Sequence, residues 1–82
     1  MIAEKQAPRF DPRGPDLISE LIAGDIENRI RAGEFGPGTR LPAGRVLAEE
    51  YGTSKVTIGR AIGVLRDRGL IRTVRPKGTF VL

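Results

Sequence analysis

The stretch that decides the fold runs from Arg45 to Leu65 and reads RVLAEEYGTSKVTIGRAIGVL. Apolar residues repeat at helical spacing on both sides of Gly52, so the stretch predicts a short helix, a tight turn and a longer helix. Ala48 is small enough to let two helices cross closely, Gly52 can adopt the left-handed conformation of the turn, and Ile58 can pack the second helix on the first. This pattern is typical of a helix-turn-helix, although an ordinary helical hairpin in an α domain would share it.

The basic residues are concentrated in the last third of the chain. The formal net charge is +4, but residues 55–82 contain seven Lys and Arg and a single acidic residue, Asp67. Most of the positive charge therefore lies on and after the longer predicted helix, where a DNA-binding helix needs it to attract phosphate groups. A solvated basic surface would have the same composition, so charge alone leaves both interpretations open.

The residue types that are missing exclude several classes of protein. The 82 residues include no Cys and no His, which excludes a disulfide scaffold, a Cys/His zinc site and a Ser-His-Asp triad. No apolar run approaches the roughly 20 residues that span a membrane, and no signal peptide is visible, so we expect a cytoplasmic protein. We expect no enzymatic activity, no cofactor or metal, and no effector ligand within this chain.

An arm, a supporting helix and a connector are predicted before the helix-turn-helix. Residues 1–15 contain three prolines and no apolar period, which favours a flexible arm that could follow a DNA groove or a plain disordered terminus. Asp16 is a suitable N-cap for an amphipathic helix that ends near Gly33. The apolar stripe of this helix, which we expect in the core, consists of Leu17, Ile18, Leu21, Ile22, Ile26 and Ile30. The connector comprises residues 35–42, and residues 39–41 within it could form a short strand.

A β-hairpin is predicted directly after the longer helix. Residues 70–74 and 79–82 have the alternation of strands, and a basic turn with Pro and Gly separates them. Because an isolated hairpin is only marginally stable, we expect it to pack on the helices through Ile71 and Phe80. The predicted fold is therefore mainly α with a small hairpin: a winged helix-turn-helix of three helices and a two- or three-stranded antiparallel wing.

Five short motifs occur in a set order along the chain. They are GEFGPGTRLP at residues 33–42, LAxxYG at 47–52, SKxTI at 54–58, GLI at 69–71 and GTFV at 78–81. In this order and spacing they resemble the N-terminal domain of GntR-type bacterial transcription regulators. The resemblance covers residues 16–82 and implies a winged helix-turn-helix DNA-binding domain, preceded by the arm at residues 1–15.

The resemblance also implies roles for individual residues. Arg45 occupies the position of a DNA-contacting Arg in the family's Pro-Ser-Glu-Arg segment, which reads PAGR here and lacks the capping Ser. Ser54 and Thr57 match the start of the family's recognition helix. Lys55 keeps a positive charge there without the bidentate fork of Arg, and Gly59 replaces an Arg that often touches DNA.

The outward face of the longer helix supplies the predicted base-reading residues. The residues that we expect in the major groove are Lys55, Val56, Thr57 and Arg60. Val56 could pack on a thymine methyl group or be a tolerated surface residue. We expect Ser54 to cap the helix or bind a phosphate. Arg66 and Arg68 lie beyond the first two turns and are expected in solvent.

The wing and the second helix supply the predicted backbone contacts. Arg45 and Lys77 are suited to phosphate or minor-groove contacts, and Gly78 should let the wing tip approach closely. We expect a sequence-specific double-stranded DNA-binding transcriptional regulator, in the simplest case a repressor. Its recognition helix, residues 54–68, would lie in the major groove, and its wing, residues 70–82, at the adjacent minor groove or backbone.

The expected partner is a palindromic operator, bound by a monomer or weak homodimer that pairs on the DNA. A single module buries little surface on DNA, and two copies on a palindrome would recover affinity. The alternative is a winged helix that binds another protein, against which the surface charge argues because interface cores are depleted in charged residues.

Overall fold

The structure, a computed structural model, describes residues 15–82. It contains the helices α1 (Pro15–Arg31), α2 (Gly44–Tyr51) and α3 (Lys55–Asp67), followed by the strands β1 (Ile71–Val74) and β2 (Gly78–Val81) of one antiparallel sheet. The predicted winged helix-turn-helix is confirmed, while the predicted arm lies outside the described residues. No helix in the described part of the chain is long and apolar enough to cross a membrane.

Helix α1 ends as predicted but begins two residues earlier than an N-cap at Asp16 implies. Pro15 is already helical, so Asp16 lies within the first turn and does not precede it. Proline suits a first helical position because the N–H that it lacks would have no partner there. At the other end Gly33 has a φ of +89°, and the Gly33 and Glu34 amides donate to carbonyl groups of the last turn. This is the hydrogen-bond pattern of a Schellman motif.

Only part of the predicted α1 stripe reaches the core. Ile22 and Ile26 are buried with Ala23 beside them, whereas Ile18 is 37% exposed and Leu21 is 51% exposed. The expectation that the whole stripe is buried is therefore wrong. Helix α3 covers a narrower strip of α1 than the apolar pattern suggests, and the first two turns of α1 carry apolar side chains that stay at the surface.

The turn between α2 and α3 has the predicted geometry. Gly52 is left-handed at φ 65° and ψ 39°, and the Thr53 amide donates to the Ala48 carbonyl at 2.9 Å. Ala48 and Ile58 are buried where the two helices meet. The helix-turn-helix interpretation of these residues is confirmed.

The wing packs on the helices through one face of its sheet. Ile71 pairs with Val81, and both side chains are buried in the core. Phe80, which we expected to make this contact, is only half-buried, because neighbouring residues of a strand point to opposite faces. The predicted strand at residues 39–41 is reduced to one bridge, Arg40 with Phe80, next to β2. The wing is thus fixed against the same core as α3.

Candidate nucleic-acid interface

Helix α3 begins with a side-chain cap. The Ser54 Oγ accepts a hydrogen bond from the Thr57 amide at 3.1 Å and donates to the Thr57 hydroxyl at 3.1 Å. The predicted capping role of Ser54 is confirmed. Helix α2 has no such contact at Ala43, its N-cap residue, in line with the Ser that its segment lacks. The N-terminus of α3 is therefore better capped than that of α2.

The predicted base-reading residues lie around the first two turns of α3. Lys55, Val56 and Arg60 are exposed, and 67% of Val56 is accessible. Thr57 is half-buried: its carbonyl accepts a hydrogen bond from the buried Ser19 hydroxyl at 3.4 Å. Because the Thr57 hydroxyl accepts from Ser54, it keeps its own proton to donate. The roles of these residues on DNA stay predictions.

Arg45 lies in the first turn of α2 and is largely solvent-exposed. Its guanidinium is 3.6 Å from the Glu49 carboxylate, and the two side chains are 69% and 71% exposed. Exposed pairs of this kind contribute little to stability. Arg45 can therefore exchange Glu49 for a phosphate at small cost.

The tip of the wing carries an exposed Lys77 followed by Gly78. Gly78 has a φ of +128°, and a Cβ built on it would lie 2.6 Å from the Arg40 Nε. In this structure, the atoms that come close to Gly78 are therefore those of the Arg40 side chain, which lies against the wing. Sequence reasoning did not predict this contact because residues 40 and 78 are far apart in the chain.

A cleft separates α3 from the wing. It has a volume of about 290 Å³. The side chains of Lys55, Arg66, Thr73 and Arg75 line it, together with Gly59. A smaller cavity of about 210 Å³, lined in part by Arg40, shares Gly44, Ile62 and Thr79 with this cleft. The cleft and the smaller cavity therefore adjoin, and basic residues from α3, the connector and the wing are among the residues that line them.

Arg66 and Arg68 are exposed, as expected, but each also forms a side-chain contact that the sequence did not predict. The Arg66 Nη1 donates to the Thr73 hydroxyl at 3.2 Å, and the Arg68 Nη1 donates to the Glu27 carboxylate at 2.7 Å. For Arg66 the sequence did contain a signal. Residues 55, 59, 62 and 66 follow the i, i+4, i+7, i+11 spacing of one helix face, which places Arg66 on the same side as Lys55.

A second charged region is the ion-pair cluster around Arg29. Arg29 binds both carboxylate oxygens of Glu34, at 3.0 and 2.7 Å, and donates to the Tyr51 hydroxyl at 2.8 Å. The hydrogen bonds from Arg29 lower the pKa of Glu34. Burial, followed by the hydrogen bond to Asp25, raises the pKa of Tyr51 to about 12. Helix α1 is thereby joined to α2.

The acidic side chains do not gather into a metal site in the described range: residues 15–82 contain no group of three or more acidic side chains with suitable geometry. The basic surface of the domain is formed by the start of α3, the cleft and the wing tip.

The fold and this surface define a winged helix-turn-helix domain with a basic recognition helix and wing. The model of the family described as bacterial regulatory proteins, gntR family, matches residues 18–81. The chain belongs to the GntR family.

Curated relatives and solved structures agree with this assignment. The transcriptional repressor NagR of Bacillus subtilis is 35% identical over 72 residues, which cover 88% of this chain and 30% of NagR. The repressor MngR of Escherichia coli is 35% identical over 68 residues, covering 83% of this chain and 28% of MngR. A crystal structure of AraR(DBD) in complex with operator ORR3 superposes with a TM-score of 0.76 at 32% identity, covering 79% of this chain and 78% of that one. The chain thus spans less than a third of the length of these two curated relatives.

Proposed function

We propose that this chain is the DNA-binding module of a bacterial transcriptional repressor, which recognises a specific double-stranded operator. The observation that carries the proposal is the exposed basic start of α3 beside a wing fixed on the same core. Lys55 and Arg60 come from α3 and Lys77 from the wing, so their separation is set by the fold. The relatives named as repressors, and the AraR(DBD) structure with an operator, support the same role.

In this proposal α3 lies in the major groove and the wing at the adjacent minor groove or backbone. Base edges in the major groove are contacted by Lys55, Thr57 and Arg60, while Val56 can contact a thymine methyl group. Arg45 and Lys77 have positioning roles at phosphates or the minor groove, where Gly78 lets the wing tip approach closely. Ser54 caps α3 or binds a phosphate.

The proposal extends to domain organisation and assembly. We infer a DNA-binding domain at residues 16–82 preceded by an arm at residues 1–15, and a location in the bacterial cytoplasm, where operators are found. Two copies would pair on a palindromic operator while remaining a monomer or weak dimer without DNA. The role is binding and not catalysis, in keeping with relatives that are transcription regulators.

The second candidate function is a winged helix that binds a protein through the same surface. A protein interface is depleted in charged residues at its centre, whereas this surface is rich in Lys and Arg. Binding to a duplex of random sequence at low salt discriminates the two functions. A DNA-binding module binds it with a steep salt dependence, and a protein-interaction module does not.

The assignment of roles is tested by comparing Lys77→Ala with Arg60→Ala. An operator is first selected from a random duplex library, and affinities are then measured by fluorescence anisotropy over a range of salt. Lys77→Ala should weaken operator and random DNA alike and reduce the salt slope by about 1. Arg60→Ala should cost roughly 1–3 kcal/mol on the operator and less on random DNA.

The matched control is Arg31→Ala, which removes the same charge from the last turn of α1, where Arg31 is paired with Glu27. It should leave both affinities and the salt slope unchanged. Equal losses on operator and random DNA for Lys77→Ala and Arg60→Ala would contradict the division into positioning and reading residues.

A further inference from the structure

Arg66 belongs to the last turns of α3, but its side chain lies back along the helix. Its Nη2 would be 3.9 Å from a Cβ on Gly63, one turn earlier. Side chains of a helix lean toward its N-terminus, and the glycine leaves the surface open for the guanidinium to do so. The positive charge of Arg66 is therefore displaced from the end of α3 toward the half of the helix that faces DNA in the proposed function.

The wing holds this guanidinium in place. The Arg66 Nη1 donates to the Thr73 Oγ1 at 3.2 Å, and that oxygen lies 3.2 Å from the Thr79 Oγ1 across the sheet. Thr73 and Thr79 are direct partners in the β1–β2 register. A guanidinium has five N–H donors in a planar fork, so the contact with Thr73 orients the group and leaves most of its donors available.

The described residues around Arg66 give the cleft an excess of positive charge. Lys55 and Arg75 line it as well, and no Asp or Glu of residues 15–82 is among its lining residues. Within residues 15–82, none of these three cations forms a salt bridge. Like charges around one depression repel each other, and an anion bound between them converts the repulsion into attraction.

We propose that this cleft binds a phosphate group of the DNA backbone, with Arg66 as a DNA-binding residue that bridges the recognition helix and the wing. The inference rests on the proposed function, because the anion that meets both α3 and the wing is then the phosphate chain of the bound duplex. Gly59 and Ile62, on the same face of α3 as Lys55 and Arg66, also line the cleft. A Cβ built on Gly59 meets no atom of residues 15–82 within 4 Å, so the backbone of α3 is open to a phosphate at that point.

The test compares Arg66→Gln with Arg68→Gln on a short duplex of random sequence. Both variants remove one positive charge, at positions two residues apart at the end of α3, but Arg68 is paired with Glu27 and does not line the cleft. Fluorescence anisotropy over a range of salt should give roughly tenfold weaker binding for Arg66→Gln and a salt slope reduced by about 1. Arg68→Gln should match the wild type, and Arg66→Lys should keep the wild-type slope because it keeps the charge.

A measurement on the unmodified chain covers the case in which a variant folds poorly. The Nε–Hε signal of Arg66 in a ¹H–¹⁵N spectrum should shift as the duplex is added, while that of Arg68 stays in place. If the wild type binds DNA and neither the salt slope nor the Arg66 signal responds, the phosphate site is wrong and the proposed function stands. If the wild type binds no duplex at all, both proposals are overturned.

Discussion

The arginines of this domain divide into two regions that differ in what surrounds them. On α1, and where the end of α3 meets it, three arginines contact carboxylates. These arginines are Arg29, Arg31 and Arg68. Around α3, the connector and the wing, several cations have no carboxylate partner within residues 15–82. These cations are Arg40, Lys55, Arg66, Arg75 and Lys77. Basic side chains therefore stabilise the fold in the first region and are left available to an external anion in the second.

The physical difference lies in where the compensating charge comes from. Arg29 is 18% exposed at its side chain, and its guanidinium lies 4.8 Å from the centre of the Phe35 ring. Its charge is neutralised inside the protein by Glu34 and Glu50. The cations of the cleft keep a mutual repulsion that costs folding free energy. This cost is offset when an anion binds, as expected for a surface that recognises phosphate.

The comparison is tested most strongly by replacing one arginine from each region with alanine. Arg29→Ala should destabilise the fold by about 2 kcal/mol, because it leaves two carboxylates and the Tyr51 hydroxyl without their cation and removes packing on Phe35. Arg40→Ala should change stability by less than about 0.5 kcal/mol. Urea denaturation measures both values. Similar losses for the two variants would remove the distinction between the regions.

A smaller effect is expected at the contact between the wing and Arg40. Gly78→Ala should cost about 1–2 kcal/mol, chiefly because it forces a side chain into a φ of +128°. The new Cβ would also lie 2.6 Å from the Nε of Arg40, an exposed side chain that must shift. Gly36→Ala is the matched control, because a Cβ built on Gly36 meets no atom of the described residues within 4 Å and its φ is not positive. Its stability should stay close to that of the wild type.

A second substitution separates the two causes of the stability loss in Gly78→Ala. In the Arg40→Ala background, Gly78→Ala should recover the steric part of the loss and keep the part due to φ. Thermal or urea denaturation of the single and double variants gives the two parts. Full additivity of the two substitutions would show that the Arg40 contact with Gly78 has no energetic effect.

The sequence predicted those features that depend on residues close in the chain. The cap at Ser54, the turn at Gly52 and the Gly33 C-terminus of α1 follow from local hydrogen bonds and backbone preferences, and all three are confirmed. The exposure of Leu21 could not be predicted from such local preferences. Its exposure depends on how much of α1 is covered by α3, and helical periodicity identifies the apolar face without its width.

The candidate site also combines features that local sequence predicts with features that depend on residues distant in the chain. The exposed face with Val56 and Arg60 follows from the helical period alone. The positions of Arg66 and Arg40 depend on contacts with the wing, at Thr73 and at Gly78, which join residues that are distant in the chain. The spacing of Arg66 from Lys55 along α3 indicates the shared face, but not the cleft, because the opposite wall belongs to the sheet.

The smallest expected effect concerns acid and again separates the two regions. Hydrogen bonds from Arg29 lower the pKa of Glu34, and hydrogen bonds from Arg31 and Arg68 lower that of Glu27, from an ordinary value of 4.5. A carboxyl whose pKa is lower in the folded state than in the unfolded chain contributes stability above the unfolded value. That contribution is lost as pH falls through the folded pKa.

The domain should therefore lose stability progressively below about pH 4.5, because Glu27 and Glu34 become protonated and their ion pairs with arginine are lost. The cations of the cleft keep their charge over this range. Glu34→Gln should be less stable than the wild type at neutral pH, and the difference should shrink in acid because protonation removes the same interaction from the wild type. Urea midpoints measured from neutral pH to about pH 3 test this. The effect is modest, since Glu34 is 51% exposed at its side chain and its ion pair is screened by solvent. A difference between the two proteins that stays constant across the whole range would mean that the Arg29–Glu34 pair does not contribute to folding, and that the contrast between the two regions rests on packing alone.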